Sequence, residues 1–155
     1  MIDVHTHCHQ PEHRGAAWTE YAARAYGDRD WSYSPGHFSK VMRTGRVDTA
    51  VVFGVTALAI GLDTPNSFVA QFCDEVDIDT IPFMAIDPTE ERWHADLADG
   101  LDRGFRGIKL YPTSALFDPT DLKYDELYEQ AVAHGLVLLW HMGATPNPAG
   151  KLSYS

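Results

Sequence analysis

The sequence predicts an α/β protein in which helices pack against a parallel sheet. Five short runs of β-branched and apolar residues alternate with segments of helical period, and loops containing Gly, Pro, Asp or Asn separate them. Runs such as VLLW, at residues 137–140, are apolar without interruption, which is typical of parallel strands with helices on both faces. The length of 155 residues falls in the single-domain range, and we assign the whole chain to one domain.

The elements follow one another along the chain as strand, loop and helix. In order, the predicted strands are IDVHTH (2–7), DTAVVFGV (48–55), TIPFMAID (80–87), FRGIKLYP (105–112) and LVLLWHM (136–142). Helices are predicted over residues 37–44, 66–77, 90–103 and 124–134. The last helix is the clearest, because Leu127, Ala131 and His134 share one face and Gly135 follows as a C-terminal stop.

The connection after the first strand is longer than one βα unit requires. Its excess, RGAAWTEYAARAYGDRDWSYSPG at residues 14–36, contains five aromatic side chains and predicts an insertion with one short helix. Loops of this kind lie at the C-terminal face of the sheet, where α/β proteins bind ligands. Two alternatives follow: the aromatic segment forms a lid over a site, or it buries its rings in a small core of its own.

The composition limits the classes of partner. A formal net charge of −10, from 22 acidic and 12 basic side chains, argues against nucleic acid and anionic membranes. Small-molecule substrates, metals or other proteins are the expected partners. Cys8 and Cys73 form no CxxC pair, so neither a disulfide framework nor a structural zinc site is expected. With no signal peptide and no apolar run of about 18 residues, we expect a cytoplasmic location.

The first strand has histidines at alternate positions, His5 and His7. Alternate residues of a strand point to the same face with Cα atoms about 6.6 Å apart, so two imidazoles can bind one divalent ion. The simpler alternative is a pair of solvent-exposed histidines. Two features favour metal binding. His141 ends another strand at the same edge of the sheet. The residues that alternate with the histidines, Ile2, Val4 and Thr6, are expected to pack against helices, which turns the histidines to the opposite face.

Three motifs, in this order and spacing, resemble the amidohydrolase superfamily: DVHTH on the first strand, GFRGIKLYP on a middle strand and LLWHMG on the next. The chain is similar in particular to the amidohydrolase-related branch, which includes decarboxylases of the aminocarboxymuconate-semialdehyde type. The resemblance implies a (β/α)8 TIM barrel, incomplete in this chain with about five βα units, and one or two divalent metal ions at its C-terminal mouth. Such an ion would activate a water or polarise a substrate carbonyl.

Carried over residue by residue, the resemblance implies that His5, His7 and His141 are metal ligands. The expected cofactor is one divalent ion, Zn²⁺ or alternatively Mn²⁺. Cys8 lies between two histidines but points to the other face by alternation, so we expect it to pack rather than to bind metal.

Three further residues are expected to contact the substrate: Lys109, Tyr111 and Asp87. Lys109 stands where binuclear members have a carbamylated lysine, so a bridging ligand is one alternative, and a lysine that extends out of the strand end into water is another. Tyr111 replaces a histidine that relatives often have. Asp87 ends the third strand, where capping of the next helix is the alternative.

The chain is shorter than the barrel that the resemblance implies, because such barrels have about 200 residues or more. The family's sixth-strand histidine and eighth-strand aspartate have no counterpart, and the catalytic aspartate is expected beyond Ser155. Five strands alone would leave an apolar edge. In order of preference we expect a longer chain, a second polypeptide that supplies the missing strands, or an open five-stranded sheet. The expected assembly is a homo-oligomer or a barrel completed by a second polypeptide.

The expected function is that of a metal-dependent hydrolase that acts on a small amide, ester or lactone through a metal-activated water. A non-oxidative decarboxylase of the same family is the first alternative. The HxH opening also resembles the PHP phosphoesterases, for which His9 and His13 would offer further ligands. The last alternative is a non-catalytic half-barrel that binds metal or a partner, because three imidazoles without a carboxylate lack an evident general base.

Overall fold

The structure alternates strands and helices along the whole chain. A computed structural model describes residues 1–27, 29–143 and 150–154. The strands are β1 (Ile2–His7), β2 (Thr49–Phe53), β3 (Thr56–Ala57), β4 (Leu62–Asp63), β5 (Asp79–Ala85), β6 (Gly107–Leu110) and β7 (Val137–Trp140). The α-helices are α1 (Ala16–Tyr26), α2 (Pro35–Thr44), α3 (Asn66–Glu75), α4 (Trp93–Asp102), α5 (Pro112–Ala115) and α6 (Asp125–Ala133). Short 3₁₀ helices cover Pro11–His13, Leu58–Ile60, Leu122–Tyr124 and Leu152–Tyr154.

Five strands form one parallel sheet in the order β1-β2-β5-β6-β7. The spatial order follows the chain order, and every connection contains at least one helix, which is the connectivity of successive βα units in a TIM barrel. The prediction of an incomplete barrel with about five units is confirmed. Helix α1 is the short helix predicted for the insertion. Among the described residues, no helix is long and apolar enough to cross a membrane.

The structure adds two small elements at the C-terminal ends of strands. Strands β3 and β4 pair antiparallel after β2, and the single turn α5 follows β6 directly. Two-residue strands and one helical turn are too short for a hydrophobic period to show in the sequence.

A β-bulge interrupts β1. In the pairing with β2, Asp3 lies opposite Ala50 and Thr6 opposite Val52, so β1 has two residues where β2 has only Val51. An extra residue changes which face the neighbouring side chains take. The prediction that Ile2, Val4 and Thr6 together pack against helices is therefore wrong: Thr6 is buried, whereas Ile2 and Val4 are each 61% exposed.

The two faces of the sheet have different neighbours. The face that would line a barrel interior, called the inner face below, has a small cluster of Val51, Phe53 and Phe83, with Ile81 and Leu139 beside it. The other face packs against the helices in the main core, which includes Val52, Met84, Ile108, Leu110, Phe72, Leu97 and Leu127. Cys8 is buried in this main core, as expected for a packing residue.

Gly107 allows the inner cluster to close. A Cβ at this position would lie 2.5 Å from the ring of Phe83 and 2.6 Å from the carbonyl oxygen of Val137. Only a glycine leaves space for the Phe83 ring beside β6. The inner face thus has an apolar floor beneath the C-terminal ends of the strands.

Both edges of the sheet are open within the described residues. At the β1 edge Ile2 and Val4 are exposed. At the other edge, Val137 of β7 is 57% exposed and Met142, just after β7, is 59% exposed. Apolar side chains at unpaired edges are unusual in a finished sheet.

Candidate metal centre

His5 and His7 lie side by side on the inner face. Their ring centroids are 5.1 Å apart, and each ring meets the ring of Phe53 edge to face, at 5.2 Å for His5 and 4.7 Å for His7. Beside the bulge, the backbone N–H of His5 donates to Oδ1 of Asp3 at 3.0 Å. The strand therefore brings together the two imidazoles that the sequence predicted as a pair.

Tyr111 connects His7 to the end of β2. Its hydroxyl donates to the carbonyl oxygen of Gly54 at 3.0 Å, and the same oxygen lies 3.4 Å from Nδ1 of His7. Because the phenol proton is directed at Gly54, the phenol oxygen is left to accept from Nδ1–H of His7. The neutral His7 ring then has its lone pair on Nε2, the form in which an imidazole binds a metal.

His141 is the third imidazole of the group and follows β7. Its backbone N–H donates to the carbonyl oxygen of Leu110 at 2.8 Å, which fixes the main chain at the strand end. Its ring stacks on Tyr111 with centroids 5.8 Å apart. Its Nε2 is buried and has no hydrogen-bond partner among the described residues. Burial of a nitrogen without a hydrogen-bond partner costs free energy of desolvation that nothing offsets, and a bound metal or ligand would offset it.

Lys109 points into the same space from β6. Its side chain is fully buried, and Nζ lies 5.2 Å from the ring centroid of Phe53 and 4.9 Å from that of Tyr111. No hydrogen-bond partner of Nζ is present in the described part of the chain. The alternative of a lysine that extends into water is therefore wrong. Burial lowers the pKa of Lys109 to about 8.

Burial and mutual repulsion keep the imidazoles neutral. Burial, followed by the charges of His5 and Lys109, lowers the pKa of His7 to about 3. The pKa of His5 and that of His141 are also lowered, in both cases first by burial and then by Lys109. At neutral pH the three rings therefore offer lone pairs rather than protons.

The donors fit a divalent metal in type but form no closed set of ligands. Neutral imidazoles suit Zn²⁺, and His141 Nε2 and His7 are buried nitrogens with the appropriate lone pairs. Nowhere in residues 1–27, 29–143 and 150–154 are three His, Cys, Asp or Glu side chains grouped so that they hold one ion. The arrangement is an imidazole pair with a third imidazole near it. Residues 144–149 follow β7 in the sequence and lie outside the described residues.

Asp87 is occupied by main-chain contacts. Its Oδ2 accepts from the backbone N–H of Leu58 at 2.9 Å, and Oδ1 accepts from the backbone N–H and hydroxyl of Thr89 at 3.1 and 2.6 Å. It does not cap α4, whose N-cap is Arg92. The carboxylate ties the 3₁₀ turn after β3 to the end of β5, and a contact with substrate stays a prediction.

His9 and His13, the next two histidines in the sequence, have different surroundings. His13 is buried, accepts through Nδ1 from the backbone N–H of Gln10 at 3.0 Å, and packs on Phe68 with centroids 4.5 Å apart. His9 instead lines a cavity with His5 and His7. The sequence offered no argument for His9, because a residue beyond the strand end has no predictable direction.

This cavity, called the histidine cavity below, has a volume of about 470 Å³ and runs from the imidazole pair along the open edge of β1. Trp31 and Tyr33 of the aromatic insertion line it, together with Phe38, Val41 and Met42 of α2. The insertion thus contributes a wall of the cavity, as the lid alternative requires. Aromatic rings of the insertion also contact one another, since the ring centroids of Tyr26 and Trp31 lie 5.3 Å apart.

The fold is an incomplete TIM barrel with a pair of histidines near the C-terminal end of its first strand. The family model described as "Amidohydrolase" matches residues 2–154. The chain belongs to the amidohydrolase family, which places it in the superfamily that its motifs indicated. Membership indicates a hydrolase or decarboxylase type of function, in a superfamily that typically binds metals.

A solved structure supports the fold. The chain is similar to an uncharacterized TIM-barrel protein from Bordetella bronchiseptica, with a TM-score of 0.70 and 16% sequence identity, over 99% of this chain and 58% of that one. The chain thus spans a little over half the length of this barrel protein. No curated protein matches the chain by sequence.

Proposed function

We propose that this chain belongs to a metal-dependent hydrolase that acts on a small carbonyl-containing substrate such as an amide, ester or lactone. The observation that supports this most directly is the convergence of His5, His7 and His141 at the C-terminal ends of two strands of a family barrel. The buried Nε2 of His141 has no partner among the described residues, and such a nitrogen has few roles other than binding a ligand or a metal.

In this proposal His5, His7 and His141 hold one divalent ion, most simply Zn²⁺. Such an ion supplies, when bound, an acidified water or a Lewis acid for the substrate carbonyl. Tyr111 keeps the His7 ring in the tautomer that presents Nε2. Phe53 and the rest of the inner cluster exclude water from below the imidazoles.

Lys109 supports a decarboxylase as the second candidate. A buried ammonium without a carboxylate partner, directed into the imidazole group, suits a substrate that brings a negative charge of its own. A carboxylate substrate that loses CO₂ would supply that charge, whereas a neutral amide or ester would not. Release of CO₂ from carboxylic acids, measured beside hydrolysis of neutral esters and lactones, separates the two candidates.

The first experiment measures metal content. We expect about one divalent ion per chain in the purified protein, and loss of that ion in the double variant His5→Ala, His7→Ala. The matched control is His94→Ala, His134→Ala, because both of those side chains are exposed on other elements. Stoichiometric metal retained by the first double variant would refute the assignment of the ligands.

We further propose that additional parallel strands cover the open edges of β1 and β7 in the active protein, whichever polypeptide supplies them. The exposed apolar residues at these edges and the greater length of the similar barrel protein support this. The mass of the native particle, measured by light scattering, tests it: a cooperative monomer of 155 residues with full activity would contradict it.

A further inference from the structure

Arg14 is a half-buried arginine that forms no ion pair with a carboxylate among the described residues. In the described part of the chain, four arginines form ion pairs with carboxylates, and Arg14 is not among them. The remaining unpaired arginines, residues 29, 46 and 106, are exposed to water. In a chain with 22 acidic and 12 basic side chains, a sheltered arginine without a carboxylate is unexpected.

The neighbours of Arg14 hold its guanidinium in place but satisfy only part of its hydrogen-bonding capacity. Nη2 donates to Oγ of Ser32 at 3.0 Å, and the guanidinium carbon lies 5.7 Å from the ring centroid of Trp18. Nε is buried and has no hydrogen-bond partner among the described residues. The nearby carboxylate of Asp30 accepts from the backbone N–H of Ser32 at 2.8 Å and forms no ion pair with Arg14.

His9 presents a second unpartnered nitrogen beside Trp18. Its ring meets Trp18 with centroids 6.5 Å apart, and its Nδ1 is buried without a hydrogen-bond partner in the described residues. Nδ1 of an imidazole can donate a hydrogen bond, so Arg14 and His9 each offer an N–H donor that has no partner in the described part of the chain.

These donors adjoin the histidine cavity. His9 lines that cavity beside His5 and His7, while Arg14 and Trp18 line a small adjoining pocket of about 50 Å³. Trp31 belongs to the walls of both. Arg14 and His9 therefore line two pockets that share Trp31, and the pocket of His9 also contains the imidazole pair.

We propose that Arg14 and His9 bind the anionic group of an organic acid whose apolar body lies against Trp18 and Trp31. Guanidinium and imidazole N–H groups are the donors that bind carboxylates, and flat aromatic rings suit an apolar body. The inference rests on the proposed function only in that the imidazole pair would face the reacting end of the same molecule. It assigns a role to the aromatic insertion, which binds the non-reacting end.

The test uses benzoate as the probe and benzamide as its neutral counterpart, titrated into metal-free protein and followed by the indole N–H resonances of the tryptophans. We expect benzoate to bind about tenfold or more tightly than benzamide, and to shift Trp18 and Trp31 but not Trp93. Arg14→Gln should weaken benzoate binding about tenfold or more while benzamide binding stays unchanged. Arg14→Lys should recover part of the affinity.

Controls separate this site from the metal centre. Arg24→Gln, on the exposed side of α1, should leave benzoate binding unchanged, and so should the double variant His5→Ala, His7→Ala. Inorganic phosphate should bind at least about tenfold more weakly than benzoate, because it lacks the apolar body. Equal binding of benzoate and benzamide by the unmodified protein, or undiminished benzoate binding by Arg14→Gln, would overturn the proposal. Loss of benzoate binding with the imidazole pair would assign the anion to the metal centre and refute the role of Arg14.

Discussion

The hydroxyl of Tyr111 lies 3.4 Å from Nδ1 of His7 and donates its own proton to Gly54, so one phenol sets the tautomer of the central imidazole. The residue follows the KL pair of β6, a position that the sequence analysis marked as a departure from the family pattern and as a predicted substrate contact. Tyr111 also stacks on His141 and is 4% exposed. A single buried side chain thus touches two of the three imidazoles of the proposed centre.

Replacement of Tyr111 by Phe removes the acceptor for His7 without changing the ring. We expect Zn²⁺ affinity, measured by competition with a chromophoric chelator, to fall about tenfold to a hundredfold, as is typical for loss of a group that orients a ligand. Stability should fall by about 1–2 kcal/mol because the Gly54 carbonyl loses its donor. Tyr128→Phe is the control, since its hydroxyl donates to Pro119 away from the site. Unchanged Zn²⁺ affinity in Tyr111→Phe would remove Tyr111 from the metal centre.

Replacement of Lys109 by Met should stabilise the metal-free protein. The pKa of Lys109 falls from 10.5 to about 8 on folding, so the unfolded chain binds the extra proton more tightly and the charged lysine opposes folding at neutral pH. We expect a gain of about 2 kcal/mol in urea unfolding at pH 7, with loss of any catalytic activity. The gain should shrink as the pH rises from about 8 to 10.5, where the unmodified lysine loses its proton. Lys40→Met on α2 changes an exposed lysine and should show no such gain.

The buried imidazole of His7 should make the metal-free protein sensitive to acid. Its pKa is about 3 in the folded state against 6.5 as reference, so the unfolded state binds more protons between these values. Stability is therefore complete above pH 6.5 and decreases as the pH falls, by about 2 kcal/mol between pH 6.5 and pH 5 for this group. His9, with a pKa of about 4, adds to the same decrease. His7→Gln should reduce the slope of stability against pH, and an unchanged slope would count against burial of this ring; the exposed His134→Gln is the control.

Two glycines form a matched pair for a packing test. Gly107→Ala places a Cβ 2.5 Å from the Phe83 ring and should cost about 2–3 kcal/mol, because the inner cluster and β7 must both shift. Gly36→Ala in α2 meets nothing within 4 Å and should stabilise the protein by about 0.5 kcal/mol. Thermal unfolding measures both. If Gly107→Ala were as stable as the unmodified protein, the Phe83 ring could not occupy its described position.

The sequence predicted the sheet because several strands, such as β2, β5 and β7, are nearly continuous apolar runs. It predicted the convergence of His5, His7 and His141 because parallel strands end at a common edge. Those predictions depend only on the period of the apolar residues and on the parallel direction of the strands, and both can be inferred from a single sequence.

The features that the sequence missed depend on long-range contacts. The hydrogen bonds from Tyr111 to Gly54 and from Leu58 to Asp87 join segments far apart in the chain, and no local sequence pattern predicts them. The prediction of which face Ile2 and Val4 occupy was wrong because alternation assumes a regular strand, whereas β1 has an extra residue. Arg14 gained a proposed role only when the structure showed its Nε buried without a partner among the described residues.

The bulge in β1 has a consequence for redesign of this scaffold. The irregularity lies between Asp3 and Thr6, whereas His5, Thr6 and His7 alternate as in a regular strand. A designer could therefore transplant the HxH motif onto a regular strand and keep both imidazoles on one face. An engineer who deletes Val4 to straighten the strand would instead change the faces of the residues that precede His5.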